Sequence, residues 1–235
     1  MDSPLLILLL VMVLAAGAVG LLYLGPQLFR WFQVRRWRRA GNVMALTYDD
    51  GPDPETTPAL LDLLDELGVR ATFYLVGFRA EACPDMVRLI AERGHEVGAH
   101  SYSHKHAWKV PPWFDYRDAE RGYRTLERIA GAAGPYRPPF GKIALPTLVG
   151  MLAKGRRVEW WSVPTNDTDD EFEDPETLAR DLAERGERVI LMHSHHPERH
   201  RRDFMLTMTR ALVGEARRRG IRMVTMSELA TDGAT

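Results

Sequence analysis

The stretch from Val43 to Pro52 reads VMALTYDDGP, an apolar run that ends in two aspartates and a Gly-Pro turn. A short apolar run bounded by turn residues is typical of a buried strand. Six further runs of this kind alternate with amphipathic segments, which predicts parallel strands covered by helices. A closed or distorted barrel and an open doubly wound sheet both fit this α/β pattern. The seven predicted strands are 43–48, 70–76, 96–100, 134–137, 158–163, 188–193 and 221–225.

The amphipathic segments carry helix start and stop signals. The start signal is a capping residue followed by proline, and the stop signal is a glycine. The starts are at Thr57-Pro58, Cys83-Pro84 and Asp174-Pro175, and the stops are at Gly68, Gly94, Gly155, Gly186 and Gly220. The predicted helices are 57–67, 84–93, 115–131, 144–154, 175–185 and 204–219.

An uncharged run precedes this pattern, LLILLLVMVLAAGAVGLLYL at residues 5–24. As a helix rising about 1.5 Å per residue, it would span the bilayer hydrocarbon core of about 30 Å. A cleaved signal peptide is the alternative, since Ala16-Gly17-Ala18 resembles a cleavage site, but no Lys or Arg precedes the run. We predict that residues 1–41 are a retained single-pass membrane anchor with a basic juxtamembrane segment, and that residues 42–235 form one globular domain.

Charge is unevenly distributed along the 235 residues, although the net charge is only −1. Residues 1–39 hold one acidic residue and five arginines, so the remainder carries 26 basic against 31 acidic residues. A mildly acidic body without a basic stripe predicts no nucleic-acid partner. The single cysteine, Cys83, excludes an intrachain disulfide.

The five arginines also bear on orientation in a membrane. All of them follow the apolar run, and neither Lys nor Arg precedes it. The positive-inside rule therefore favours a cytoplasm-facing globular domain, with the external face as the alternative. The arginines are Arg30, Arg35, Arg36, Arg38 and Arg39.

Ionisable or metal-binding groups follow five of the predicted strands. Because the carboxyl ends of parallel strands meet at one edge, these groups are expected to lie together. His100 and His104 are four residues apart, so one helical turn would point both imidazoles the same way. Two histidines and one carboxylate leave positions open for water and substrate, as a catalytic zinc site requires. The strand-end segments are Thr47–Pro52, His100–His104, Tyr136–Gly141, Thr165–Asp167 and Leu191–His193.

The carboxylate has two candidates, Asp49 and Asp50. Neighbouring side chains of an extended segment point apart, so the two aspartates are expected to have different roles. One can bind a metal, and the other can accept a proton from the attacking water. An ordinary surface turn has the same composition, but the position at a strand end opposite two histidines favours a site.

In this order along the chain, these motifs resemble those of the polysaccharide deacetylase family (NodB homology, carbohydrate esterase 4). The resemblance covers roughly residues 43–230 and identifies residues 42–235 as a catalytic domain. It implies a distorted (β/α) barrel of about seven parallel strands, here preceded by one transmembrane helix. The implied activity is hydrolysis of N-acetyl groups on amino sugars with one divalent metal ion, usually Zn²⁺. The implied partners are a carbohydrate substrate, polymeric or lipid-linked, and membrane lipid.

The resemblance also implies a role for each matching residue. Asp49 resembles the catalytic base and Arg137 the arginine that pairs with it. His193 resembles the general acid, and Asp167 the carboxylate that tunes it. The residues that resemble the metal ligands are Asp50, His100 and His104, and the residues expected to line the substrate pocket are Leu191, Tyr48, Pro139 and Phe140.

Two positions depart from the family pattern. Tyr48 replaces a more usual phenylalanine, and Thr168 follows Asp167 where tryptophan is common and often lines the substrate groove. The groove is therefore expected to differ in shape. Three alternatives to a carbohydrate N-deacetylase remain: a metal-retaining carbohydrate-binding module without turnover, an amidase acting on a non-sugar substrate, and a glycosidase, which would need no metal.

Other polar and aromatic residues have no assigned role. The remaining histidines of two strand-end loops are interpreted as solvated, because no carboxylate spacing organises them. These are His106, His195, His196 and His200. The aromatic residues Trp108, Trp113 and Phe114 could stack on a sugar, touch a lipid or pack in the core, and Trp160-Trp161 is predicted to be mostly core.

Overall fold

The computed structural model describes residues 4–232. The outer ends of the two predicted segments, residues 1 and 235, lie outside that range, and their division at residue 41 remains a prediction. The described strands are β1 (Val43–Asp49), β2 (Thr72–Leu75), β3 (Glu96–Ala99), β4 (Val163–Pro164), β5 (Val189–His193) and β6 (Arg222–Met223). The helices are α1 (Pro4–Trp37), α2 (Thr56–Glu66), α3 (Gly77–Ala82), α4 (Pro84–Glu92), α5 (Pro112–Ala130), α6 (Leu145–Ala153), α7 (Pro175–Glu184), α8 (Arg199–Arg218) and α9 (Met226–Asp232).

The strands form one parallel sheet in the order β3-β2-β1-β5-β4, with β6 paired to the start of β1. A single residue, Tyr136, bridges Ala99 of β3 on one side and Val158 on the other. The segment that begins at Val158 continues into β4, so the pairings form a closed ring. The predicted α/β architecture of parallel strands is therefore confirmed, and the bridges at Tyr136 are those of a distorted barrel.

Three of the seven predicted strands are much shorter than expected, and one of them, 221–225, is reduced to β6 (Arg222–Met223). The predicted strand 134–137 is reduced to the bridging residue Tyr136, and the predicted strand 158–163 to the Val158 bridge and β4. Pro135 directly precedes Tyr136, and Pro138 follows two residues after it. Proline lacks a backbone N–H, so a continuous ladder cannot form there.

Every residue of β1 is buried, as expected for a parallel strand covered on both faces. Alternate side chains of β1 point to opposite faces of the sheet. Thr47 and Asp49 face the barrel interior, where both bind Arg137. Tyr48 points the other way, stacks on Phe73 and bonds Thr209 of α8 through its hydroxyl at 2.8 Å. The placement of Tyr48 in the substrate pocket was therefore wrong, because strand alternation turns it into the outer core.

The predicted helices are present, with ends shifted by a few residues, and α3 and α9 were not predicted. Asp174 caps α7 as expected, accepting the Thr177 N–H at 2.9 Å. At α2 the expected cap was wrong. The helix begins at Thr56, and the Asp53 carboxylate accepts the Thr56 N–H at 2.8 Å. The glycines predicted as stops all have positive φ, between 60° at Gly68 and 80° at Gly94.

The predicted apolar run lies in α1, which continues well beyond it to Trp37. This helix is long and apolar enough to cross a membrane, as an anchor or a signal sequence. Residues 4–19 are all exposed, whereas one face from Gly20 onward packs on the domain. Trp37 lies in the main hydrophobic core. Within the described residues, α1 therefore has an exposed N-terminal half, the free apolar half, and a C-terminal half that packs on the domain, the docked half.

Candidate metal and acid-base site

Asp50, His100 and His104 bring their ligand atoms within 4.8 Å of one another. Asp50 Oδ1 lies 3.0 Å from His104 Nε2 and 3.4 Å from His100 Nε2. That oxygen is buried, and no described residue donates it a hydrogen bond of good geometry. A buried carboxylate oxygen between two imidazole nitrogens would be costly unless it has a ligand. The three side chains thus fit one divalent cation and leave coordination positions open.

The two histidines do not lie on a helical turn, so that expectation was wrong. Residues 100–104 form a loop in which Ser101 (φ 59°) and His104 (φ 53°) are left-handed. The Ser101 hydroxyl accepts the His104 N–H at 3.0 Å and closes the loop. His100 Nδ1 lies 2.8 Å from the carbonyl oxygen of Arg137. Donation from Nδ1 leaves Nε2 free for a metal.

The two aspartates do not point apart, contrary to the sequence prediction. Asp50 has a left-handed backbone, with φ of 72°, so the strand geometry ends at Asp49. His100 Nε2 consequently lies 3.7 Å from Asp49 Oδ2 and 3.4 Å from Asp50 Oδ1. Both carboxylates therefore face the same cavity.

Arg137 forms a buried ion pair with Asp49. Its guanidinium is fully buried and lies 2.8 Å from both Asp49 Oδ1 and Thr47 Oγ1. It also donates to the carbonyl oxygen of Trp160 at 2.6 Å and sits over the Tyr74 ring at 3.9 Å. Such a charge-assisted buried pair is geometrically specific. One Asp49 oxygen is therefore engaged, and the other, Oδ2, lies 3.7 Å from His100 Nε2.

His193 ends β5 and is tied to Asp167 by two contacts. Its Nδ1 lies 2.8 Å from Asp167 Oδ1, and its backbone N–H donates to Oδ2 at 2.6 Å. Burial alone would lower the pKa of His193. The Asp167 hydrogen bond and the charges of Asp167, Asp50 and Asp49 outweigh burial and raise that pKa to about 9. Burial would raise the pKa of Asp167, but the hydrogen bonds from His193 and His196 dominate and lower it to about 2.

His196 was missed at the sequence level, and its interpretation as a solvated histidine was wrong. It is buried, and its Nε2 lies 3.1 Å from Asp167 Oδ2. His195 is also not free, because its Nδ1 lies 2.6 Å from Asp53 Oδ2. His200 is exposed, as expected. The only sequence signal for His196 was its position three residues after His193.

The predicted pocket residues separate into three groups. Leu191 is paired in register with Thr47 and therefore faces the barrel interior. Pro139 is buried, whereas the Phe140 ring is 54% exposed and lies 4.8 Å from the His104 ring. Phe140 thus forms part of the rim beside the candidate metal ligands, and Tyr48 takes no part in it. Trp160 is core, as predicted.

Comparisons with known proteins agree with this geometry. A family model described as polysaccharide deacetylase matches residues 38–158. A peptidoglycan-N-acetylglucosamine deacetylase of Bacillus cereus is 42% identical over 126 residues, which cover 53% of this chain and 46% of the relative. A chitooligosaccharide deacetylase of Sinorhizobium fredii is 34% identical over 128 residues, which cover 52% of this chain and 58% of the relative.

A solved structure extends the similarity over most of the domain. It is a peptidoglycan N-acetylglucosamine deacetylase crystallised with 4-naphthalen-1-yl-N-oxidanyl-benzamide. The two chains superpose with a TM-score of 0.73 at 31% identity, covering 80% of this chain and 87% of the other. In sequence, by contrast, the chain spans about half the length of the Bacillus cereus and Sinorhizobium fredii relatives.

Proposed function

The chain belongs to the polysaccharide deacetylase family, and from this premise we propose that it is a metal-dependent hydrolase that removes an N-acyl group, expected to be acetyl, from an amino sugar. The sugar would be part of a polysaccharide, of peptidoglycan or of a lipid-linked glycan. One observation carries this proposal. Asp49 and His193 are the last residues of two paired strands and lie opposite each other in the register. Both are beside the cluster of Asp50, His100 and His104.

Asp50, His100 and His104 would hold the ion, and two imidazole nitrogens with one carboxylate favour Zn²⁺. When bound, the ion polarises the amide carbonyl and lowers the pKa of a coordinated water. His100 is suited to this role because its Nδ1 is engaged by the Arg137 carbonyl, which fixes the ring orientation.

The remaining chemistry falls to side chains of the chain itself. Asp49 Oδ2 accepts the proton of the attacking water, since Arg137 engages Oδ1. As the new C–O bond forms and the C–N bond breaks, His193 donates a proton to the departing amine. Asp167 keeps His193 charged, and its contact with His196 holds the carboxylate in place. The products are a free amino sugar and the carboxylate of the acyl group, with Leu191 and Phe140 as proposed walls of the acyl pocket.

A carbohydrate-binding module without turnover would be favoured if the base or the acid were missing, and both are present. A glycosidase needs two carboxylates flanking the bond and no metal. An amidase acting on a non-sugar substrate shares the chemistry, so the choice of substrate in the assay separates it.

Metal removal tests the proposal directly. The full chain in detergent is expected to release acetate and free amine from an N-acetylglucosamine oligomer. A chelator should abolish this release and Zn²⁺ should restore it, because Asp50 and the two histidines alone cannot activate water. The measurements are acetate and amine in the same sample, and a glycosidase would keep its activity under chelation.

The ligand assignment has its own control. The double variant His100→Ala, His104→Ala is expected to lose stoichiometric metal by elemental analysis. His200→Ala should keep the metal, because His200 is an exposed histidine of α8 far from the cluster in sequence. An undiminished metal content in the double variant would contradict the site.

Asp167→Asn is expected to change the pH dependence of turnover. The general acid must be protonated, so the rate falls as pH rises through the pKa of His193. That pKa is raised to about 9, and a cation beside Asp50 would offset part of the carboxylate charge, so the wild-type fall is expected at or below about 9. Without the Asp167 charge, burial lowers the pKa, and the fall should begin at a clearly lower pH. An unchanged alkaline limb in a pH profile of kcat/KM would contradict the role of Asp167.

We propose further that α1 is a retained membrane anchor and that the domain faces the cytoplasm. The support is the five arginines that follow the apolar run, against no Lys or Arg before it. A reporter that is active only in the cytoplasm is expected to show activity when it is fused to the C-terminus. Activity only of a reporter that requires export would refute this orientation and favour an external substrate.

A further inference from the structure

The docked half of α1 runs along the barrel wall in a defined direction. Near its start, Tyr23 contacts Trp108, which lies in the loop that follows the metal histidines, with ring centroids 6.0 Å apart. Beyond its last turn, Arg38 pairs with Glu187, just before the amino end of β5, at 2.7 Å. The helix is therefore antiparallel to the strands. Its free apolar half projects from the edge of the sheet that carries Asp49 and His193.

Side-chain contacts hold the helix in this orientation. The Gln33 amide donates to the Val158 carbonyl at 3.0 Å and accepts the backbone N–H of Trp160 at 3.2 Å. The Arg30 guanidinium lies over the Trp161 ring at 4.8 Å. Trp37 is buried in the core, and only five residues separate it from β1. So short a connection leaves the domain little freedom to swing away from the helix.

The rim next to α1 has the composition of a membrane-interface segment. Residues 105–114 read KHAWKVPPWF, with two lysines, two tryptophans and no acidic residue. Trp108 is 37% exposed and Trp113 is 60% exposed. Tryptophan and lysine are favoured at the headgroup level of a bilayer. We call residues 105–114, a loop that continues into the first turn of α5, the interfacial loop.

The level of the membrane follows from Tyr23. If residues 5–24 fill the hydrocarbon core, Tyr23 lies at its boundary, and so does its neighbour Trp108. From Trp108 a chain of ring contacts leads to the metal residues, through His106 at 6.2 Å, then Phe140 at 5.2 Å, then His104 at 4.8 Å. The mouth of the site is therefore adjacent to the headgroup layer.

One part of the rim is unfavourable for contact with the membrane. The loop between β4 and α7 carries exposed acidic groups that anionic lipid would repel. We expect the domain to rest on the interfacial loop and to keep the acidic loop in water, which leaves an opening beside the bilayer. The exposed acidic residues are Asp169, Asp170, Glu171, Glu173 and Asp174.

We infer that the site acts on an amino sugar carried by a membrane lipid, which it meets in the headgroup layer. This inference rests on the proposed function and names its substrate class. A lipid-linked sugar presents its N-acyl group at the level of Phe140 and His104. The short connection between α1 and β1 holds the mouth of the site next to the bilayer. A polymer held well away from the membrane therefore cannot reach it.

Membrane depth tests the orientation without relying on activity. Spin labels are placed by Trp113→Cys or Arg185→Cys in a Cys83→Ser background, and the full chain is reconstituted into vesicles of phosphatidylethanolamine and phosphatidylglycerol. Arg185 is exposed at the end of α7, at the opposite edge of the sheet. The label at 113 should be accessible to oxygen and protected from a water-soluble nickel chelate, and the label at 185 should show the reverse. Equal exposure of both labels to water would overturn the inference.

Substrate preference tests the consequence. The same vesicles receive either N-acetylglucosamine linked through diphosphate to a polyprenyl chain or a water-soluble N-acetylglucosamine oligomer. We expect kcat/KM to be at least about tenfold higher for the lipid-linked sugar, since both partners share one surface. Trp113→Ala should reduce that ratio. Turnover of the oligomer alone would overturn the inference and leave the proposed function intact, whereas turnover of neither would overturn both.

Discussion

Asp49→Asn is expected to lower kcat on an N-acetyl sugar by about 10³-fold while the metal stays bound. Asparagine preserves the shape of the side chain and keeps an oxygen for Arg137, but it cannot accept the proton of the attacking water. The proposed ligand set does not include Asp49, because Asp50 Oδ1 lies nearer to His100 Nε2. The measurement is single-turnover acetate release with metal content determined on the same sample.

A stability control is needed because Asp49 also neutralises a buried charge. Breaking a buried ion pair by removing one partner costs about 3–5 kcal/mol when nothing replaces it. Arg137 would retain Thr47 Oγ1 and the Trp160 carbonyl oxygen, so a smaller loss is expected, seen as a lower Tm. Wild-type turnover in a folded, metal-loaded Asp49→Asn protein would show that Asp49 is not the base.

His193→Ala is expected to lower kcat by about 10²- to 10⁴-fold without loss of metal. An amine leaves poorly unless it is protonated, and His193 is the proposed donor. Burial alone would lower its pKa, but the hydrogen bond to Asp167 and the charges of Asp167, Asp50 and Asp49 raise that pKa to about 9. The loss should be smaller for a substrate whose leaving amine is a weaker base, since such a leaving group needs less proton transfer. Activity on two N-acetyl substrates with different leaving groups measures this.

The matched control for His193 is His195→Ala. His195 follows in the same loop and contacts Asp53, not Asp167. A similar loss of turnover in both variants would point to a general effect on the loop. Loss of metal in His193→Ala would instead make His193 a ligand, which would contradict its role as the acid.

Much of the architecture was predictable from local sequence patterns. Apolar runs alternating with amphipathic segments predicted the parallel strands and six of the described helices, because burial on both faces leaves a continuous apolar stretch. The strand-end position of Asp49, His100 and His193 predicted one common edge. Those predictions depend on period and order, which a single sequence contains.

Tertiary structure alone decided the details of the site. The left-handed backbone at Asp50 brings both aspartates to one cavity, whereas extended geometry predicted that they diverge. The burial of His196 against Asp167 and the outward packing of Tyr48 against Thr209 depend on partners far away in sequence. Such contacts cannot be predicted from the composition of the sequence or from the spacing of its residues.

The direction of α1 shows the same division. Its apolar run by itself determined that residues 5–24 can span a bilayer, because length and hydrophobicity are sums over neighbouring residues. Which edge of the barrel lies next to that apolar run was decided by Tyr23 against Trp108 and by Gln33 against the backbone at 158–160. Orientation is a property of long-range contacts, and these exist only once the chain has folded.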